Sequence, residues 1–130
     1  MDAMDNHHAG LHVDSFDLEY VEATKHVNIY LIKKRAADGE HFRNSMAWAS
    51  FSTMEALTAY RDEIDGVTFI GKTILISKNG DESLDKVYQA DIAMKDAKSV
   101  NWANLANYPN LTAAIKNNFD SVWWHYAVTG

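Results

Sequence analysis

Carboxylates come first among the residues able to do chemistry. Asp62, Glu63 and Asp65 form one group and Asp81, Glu82 and Asp85 another, with Asp14, Asp17, Glu19 and Glu22 nearer the start. Such groups act as general acids, bases or hard-metal ligands when two or more converge in a pocket. No spacing here makes a converging pair, and residues 81–85 lack the ligand order and central glycine of a calcium loop. Spread on a surface, the same acids attract a basic partner. The periodicity puts residues 62–65 at a helix C-terminus, where acids oppose the helix dipole, so they need another reason: contact with a basic surface is one, solubility the other.

The histidines give less. Nothing brings His26, His41 or His125 to a serine; the chain has no cysteine, no Gly-x-Ser-x-Gly and no phosphate-binding glycine loop. His7, His8 and His12 are potential imidazole ligands, but they sit in residues 1–13, an aperiodic stretch read as a flexible arm without fixed neighbours to orient them. No catalytic residue, cofactor or metal is therefore assigned.

Trp123-Trp124-His125-Tyr126 is the most aromatic run. On a helix, adjacent side chains diverge by about 100°, so one tryptophan packs inward while the other faces outward. Exposed Trp and Tyr dominate many interfaces. The partner-binding candidates are thus Asp62, Glu63, Asp65, Asp81, Glu82, Asp85, Trp123, Trp124 and Tyr126. A homodimer through the aromatic end is a second use for them. One basic cluster, Lys33-Lys34-Arg35 with Arg43 across a hairpin, could meet phosphates or simply guard a strand end.

The elements that must position these residues follow from periodicity. Residues 15–22 alternate Phe16, Leu18 and Tyr20 with Asp17 and Glu19, and residues 26–34 alternate Val27, Ile29 and Leu31 with Asn28 and Tyr30. Both patterns predict strands. Asp38-Gly39 signals a hairpin turn, returning residues 41–51 as a third, antiparallel strand. Ser52 and Glu55 have capping-box spacing and open a helix to Asp65, with Met54, Leu57, Tyr60 and Ile64 on one stripe and Gly66 at its end. Residues 67–70 and 73–77 read as two short strands or one bulged strand, and Asn79-Gly80 as a turn. Residues 87–95 alternate again. Residues 99–108 suggest a short helix, and Asn110 caps a last one with Leu111, Ile115, Phe119, Val122 and Tyr126 inside.

Residues 44–51, Asn-Ser-Met-Ala-Trp-Ala-Ser-Phe, followed by this helix and strand, resemble the second half of an RNA-recognition motif. The resemblance implies a single-stranded nucleic-acid binder, with Trp48 stacking a base and Lys33, Lys34, Arg35 and Arg43 beside it. Asn44, Ser45 and Met46 depart from the family's basic, glycine and aromatic positions.

The totals fit one α+β domain over residues 14–130: an antiparallel sheet of five or six strands, with a central helix and C-terminal helices on one face. At 130 residues such a chain buries roughly two-thirds of its unfolded surface. No apolar run reaches membrane-spanning length, the start has no signal-like apolar stretch, and the lack of cysteine fits a reducing cytoplasm. A net charge of −6 argues against nucleic acid and for a partner with a basic surface. The expected function is a small acidic, non-catalytic regulator or inhibitor acting through a protein–protein surface, in the manner of a phage-type mimic of nucleic-acid charge. The alternative is a ligand-binding or enzymatic domain with Tyr30, His41, Trp48 and Asp91 lining a pocket between sheet and helices.

Overall fold

A computed structural model describes residues 11–129. It is an α+β fold around a five-stranded sheet in the sequential order β1-β2-β3-β4-β5. Strand β1 (Ser15–Val21) and strand β2 (His26–Ile32) form the expected antiparallel hairpin. Helix α1 (Gly39–Leu57) then carries the chain to β3 (Gly66–Ile76), which lies parallel to β2. Strand β4 (Glu82–Ala93) returns antiparallel to β3. Three short helices follow: α2 (Met94–Ala97), α3 (Trp102–Ala106) and α4 (Leu111–Asn118). Strand β5 (Ser121–Trp124) closes the sheet antiparallel to β4. The sheet is mixed, with one parallel pair, where an antiparallel one was expected.

The strand predicted over residues 41–51 is the first half of α1. Asp38 is not a hairpin residue but the helix N-cap, its carboxylate accepting the His41 amide at 2.7 Å. Ser52 and Glu55 lie inside the helix and cap nothing, and Gly66 opens β3. The misleading residues are two serines. Ser45 and Ser50 count as outward in a polarity pattern, yet both are buried. Each hydroxyl donates to the carbonyl four residues back, Ser45 to His41 and Ser50 to Met46, so neither brings an unmet polar group into the core. With these two counted as inward, Phe42, Met46, Ala49, Met54 and Leu57 recur at helical spacing.

Alternation assigns the two faces of the sheet. Val27, Ile29 and Leu31 of β2, Val67 and Phe69 of β3, and Tyr88, Ala90 and Ile92 of β4 point to the side of α1 and are buried. Gly71 lets the helix approach: a Cβ there would lie 2.6 Å from Met46 Sδ and 2.9 Å from Tyr88 Cδ2. Just beyond it the β3–β4 register shifts: Gly71 faces Tyr88 and Lys72 faces Lys86, so the extra residue is Val87 on β4 and not on the strand where the sequence allowed a bulge. Phe51, Phe69, Trp102 and Phe119 build an aromatic cluster that joins α1, the sheet and α3.

The last helix stops earlier than its i, i+4 pattern suggests. Phe119 turns to extended backbone, and Asp120 ties the chain to β4 through its amide to Asp91 O and its carboxylate to the Ala93 amide. Trp123 and Trp124 therefore lie on a strand, not a helix. Residues 11–13 of the expected arm run onto the domain, with Leu11 and Val13 against the core and the His12 carbonyl accepting Lys33 Nζ. His7 and His8 lie outside the described residues.

Candidate functional site

The structure separates the predicted acidic groups. Asp62, Glu63 and Asp65 lie in the turn before β3, while Asp81, Glu82 and Asp85 lie at the far hairpin. Eleven residues of β3 stand between them, about 33 Å at ~3.3 Å per residue. Glu82 is also committed, in a 2.9 Å ion pair with Arg35.

The aromatic candidates part as well. Trp124 faces inward and stacks on Tyr88, with ring centroids 4.5 Å apart. Trp123 faces the other side of the sheet beneath Lys86, whose ammonium sits 5.4 Å from its ring centre. Tyr126, stacked on His125, is the most exposed of the three. Trp123 and Tyr126 are nevertheless joined through His125, which lies edge-on to Trp123 with ring centroids 6.1 Å apart and stacks on Tyr126; only Trp124 leaves the group.

The basic cluster is divided by burial: Lys34 and Arg35 line one cleft with Val128, the residue that Arg43 reaches, and Lys33 does not. Lys33 is buried, and its ammonium donates to the His12 carbonyl; burial lowers its pKa, opposed by Asp14. The Lys34 amide is held by Asp14, Arg35 by Glu82, and Arg43 on α1 by the Val128 carbonyl. Trp48 sits on α1, half-buried and edge-on to His12, rather than on a sheet as the RNA-recognition resemblance required. The four pocket candidates are likewise divided: Tyr30 and Asp91 lie on the sheet face away from α1, His41 and Trp48 on α1 itself. Between sheet and helix the space is filled by Phe42, Met46, Phe51, Met54 and Tyr88, each almost fully buried.

One polar chain crosses the open sheet face. The Thr68 hydroxyl donates to Asp91 Oδ1 at 2.6 Å, so the 2.8 Å contact with His26 must be donated by His26 Nε2–H. Asp91 also accepts from Gln89 and Ser121. This carboxylate binds three strands together, and Asp120 accepts from the Ala93 amide. Both act as structural acceptors. Among the described residues no group of three or more His, Cys, Asp or Glu side chains is arranged to hold a metal ion.

The surface that gathers acids and apolar side chains is the β1 edge. Phe16, Leu18 and Tyr20 are on the same face as the core, opposite Leu31, Ile29 and Val27, yet they are 52%, 44% and 45% exposed. Beside them Tyr60, from the 3₁₀ turn Thr58–Tyr60, is 58% exposed. With Leu57, Glu63 and Ile64, Leu18, Tyr20 and Tyr60 line an apolar groove of about 470 Å³. The Tyr20 hydroxyl donates to the Glu63 carbonyl and closes one end of the groove. Asp17 and Glu19 point to the opposite side of the same strand. Glu19 accepts from Asn28 and Tyr30; burial, and then the Glu19 charge, raise the Tyr30 pKa.

No family model, curated protein or solved structure matches the chain. Its chemistry has to be read from its own residues.

Of the predicted partner residues, only Glu63 lines the groove; Asp62 and Asp65 line a neighbouring cleft with Arg61, Lys95 and Lys98. Phe16, Leu18 and Tyr20 were missed as surface residues because alternation reports which face a side chain is on, not whether a helix covers it. The available signal was position: a first strand paired on one side only is an edge.

Proposed function

We propose that the protein is a small non-catalytic binding protein, a regulator or inhibitor, and that its partner surface is the acidic and aromatic edge around β1. The partner carries a basic surface with apolar side chains among its charges. The observation that supports this most directly is the exposure of Phe16, Leu18, Tyr20 and Tyr60, with Glu63 in the groove they form and Asp17 and Glu19 on the other face of the same edge strand. Contiguous exposed apolar side chains rimmed by charge are characteristic of interaction sites. The acids add long-range attraction for a cationic partner and exclude anionic ones. Such a surface would compete with any acidic ligand of a basic protein, nucleic acid included.

The test uses three capped peptides: lysine with leucine, lysine with serine, and glutamate with leucine. Binding to the first alone is expected, weakening at least about tenfold between low and high salt as screening removes the charge attraction. A salt-independent affinity would remove charge as the selecting force. Equal binding after Tyr60→Ala and Leu18→Ala would move the site elsewhere.

A further inference from the structure

We propose that the partner binds as an extra β-strand on the open edge of β1, in an extended segment whose apolar residues alternate with Lys or Arg. This rests on the reading of the β1 edge as the partner surface and specifies how that surface is used.

The main chain is the first argument. Among the described residues strand β1 pairs with β2 alone and ends the sheet. In an antiparallel ladder both backbone groups of a residue point to the same side, so alternate residues face the neighbour and the open edge. The Leu18 amide donates to the carboxylate of its own predecessor, Asp17 Oδ1, at 3.0 Å. That donor therefore faces the open edge, and by alternation the amides and carbonyls of Phe16 and Tyr20 do so too. Three successive outward residues make a ladder long enough to hold a strand by its main chain.

The side chains supply the selectivity. An added strand would place its own residues directly beside those of β1, about 5 Å away. On the α1 side these neighbours would be Phe16, Leu18 and Tyr20 and the groove beyond them, which calls for apolar residues. On the other side they would be Asp17 and Glu19, which call for Lys or Arg, since opposite charges across strands stabilise and like charges destabilise. Alternating apolar and basic residues satisfy both faces at once.

The same acids argue against a second copy as the occupant. Antiparallel pairing of β1 with itself about Leu18 would set Asp17 opposite Glu19 twice. Every register that keeps the apolar side chains on one face and pairs five or more residues of β1 brings acid against acid. Natural edge strands are commonly protected by lysine, proline or inward charge. Strand β1 has neither lysine nor proline, and its Asp17–Glu19 pair repels copies while admitting a basic strand.

The experiment uses the full chain and a capped peptide of alternating lysine and leucine, in three forms. One is unmodified, one is N-methylated on the lysines and one on the leucines. The three share charge, apolar content and extended shape, but each methylated form loses its ladder donors along one edge only. Strand addition predicts that one methylated form binds at least about tenfold more weakly while the other keeps the parent affinity. Amide exchange at Phe16, Leu18 and Tyr20 should slow on binding, and Leu18→Lys should weaken it without unfolding the protein. Equal affinity of all three peptides, with Asp17→Lys still weakening binding, would overturn strand addition and leave the surface reading intact. No binding by any peptide, in native protein and Asp17→Lys alike, would overturn both. A salt-stable dimer whose β1 amides are already protected would overturn it in favour of self-pairing.

Discussion

At the residue scale the clearest argument concerns one buried hydroxyl. Ser50 spends its proton on the Met46 carbonyl, so the 2.8 Å bond to Tyr88 is donated by the tyrosine. Ser50→Ala strands a fully buried phenol and should cost about 2 kcal/mol. Tyr88→Phe removes the donor but leaves Ser50 satisfied, and should cost only about 1 kcal/mol. Urea unfolding of the two variants checks the order. Burial pushes the Tyr88 pKa far up, with the Ser50 bond pulling slightly against it. Folding thus keeps a proton that the unfolded chain releases near pH 10. The sign follows: stability is complete below about pH 10 and falls above it, by roughly 1 kcal/mol for each further pH unit. Unfolding midpoints from pH 9 to 11 should decline less steeply in Tyr88→Phe than in the native protein.

At the element scale, how well each segment could be read depended on what covers it. Strands β1 and β2 were legible because their alternation is strict and their hairpin is local. Helix α1 was not, since Ser45 and Ser50 conceal its stripe and the capping signal at Ser52 outcompeted that at Asp38. Strand β5 was not, because Leu111, Ile115 and Phe119 carry a helical period up to Asp120, where hydrogen bonds to β4 override it. Of the candidate site, Glu63 was legible from composition, while the apolar half required knowing that no element among the described residues lies over β1. Asp38→Ala should cost about 1 kcal/mol as α1 loses its cap. Gly71→Ala should cost about 1–3 kcal/mol, because Met46 and the Tyr88 ring must both yield to the new methyl group. Thermal melts of these variants check both.

At the scale of the whole molecule, charge decides association. The net charge of −6 and the Asp17–Glu19 pair on the free edge oppose contact between copies. The double variant Asp17→Asn, Glu19→Gln keeps the size of both side chains and removes the repulsion. Light scattering should show a concentration-dependent dimer in that variant and a monomer in the native protein. An unchanged molar mass would mean that something other than these carboxylates keeps the edge apart.

The parallel pairing of β2 with β3 also sets an order of events. Ile32 and Gly66 are separated by the whole of α1, and that loop must close before the two strands pair with each other, although each has a local hairpin partner in β1 and β4. Closure is the slow event expected of such non-local pairing, and α1 has to be docked for it to hold. Substitutions under α1, at Met46 or Phe51, should therefore slow refolding in stopped-flow mixing. Substitutions on β1, whose pairing with β2 is local and no part of that closure, should leave refolding unchanged and quicken unfolding instead. The edge offered to a partner would then have no share in the slow step and be the first part of the sheet to come away.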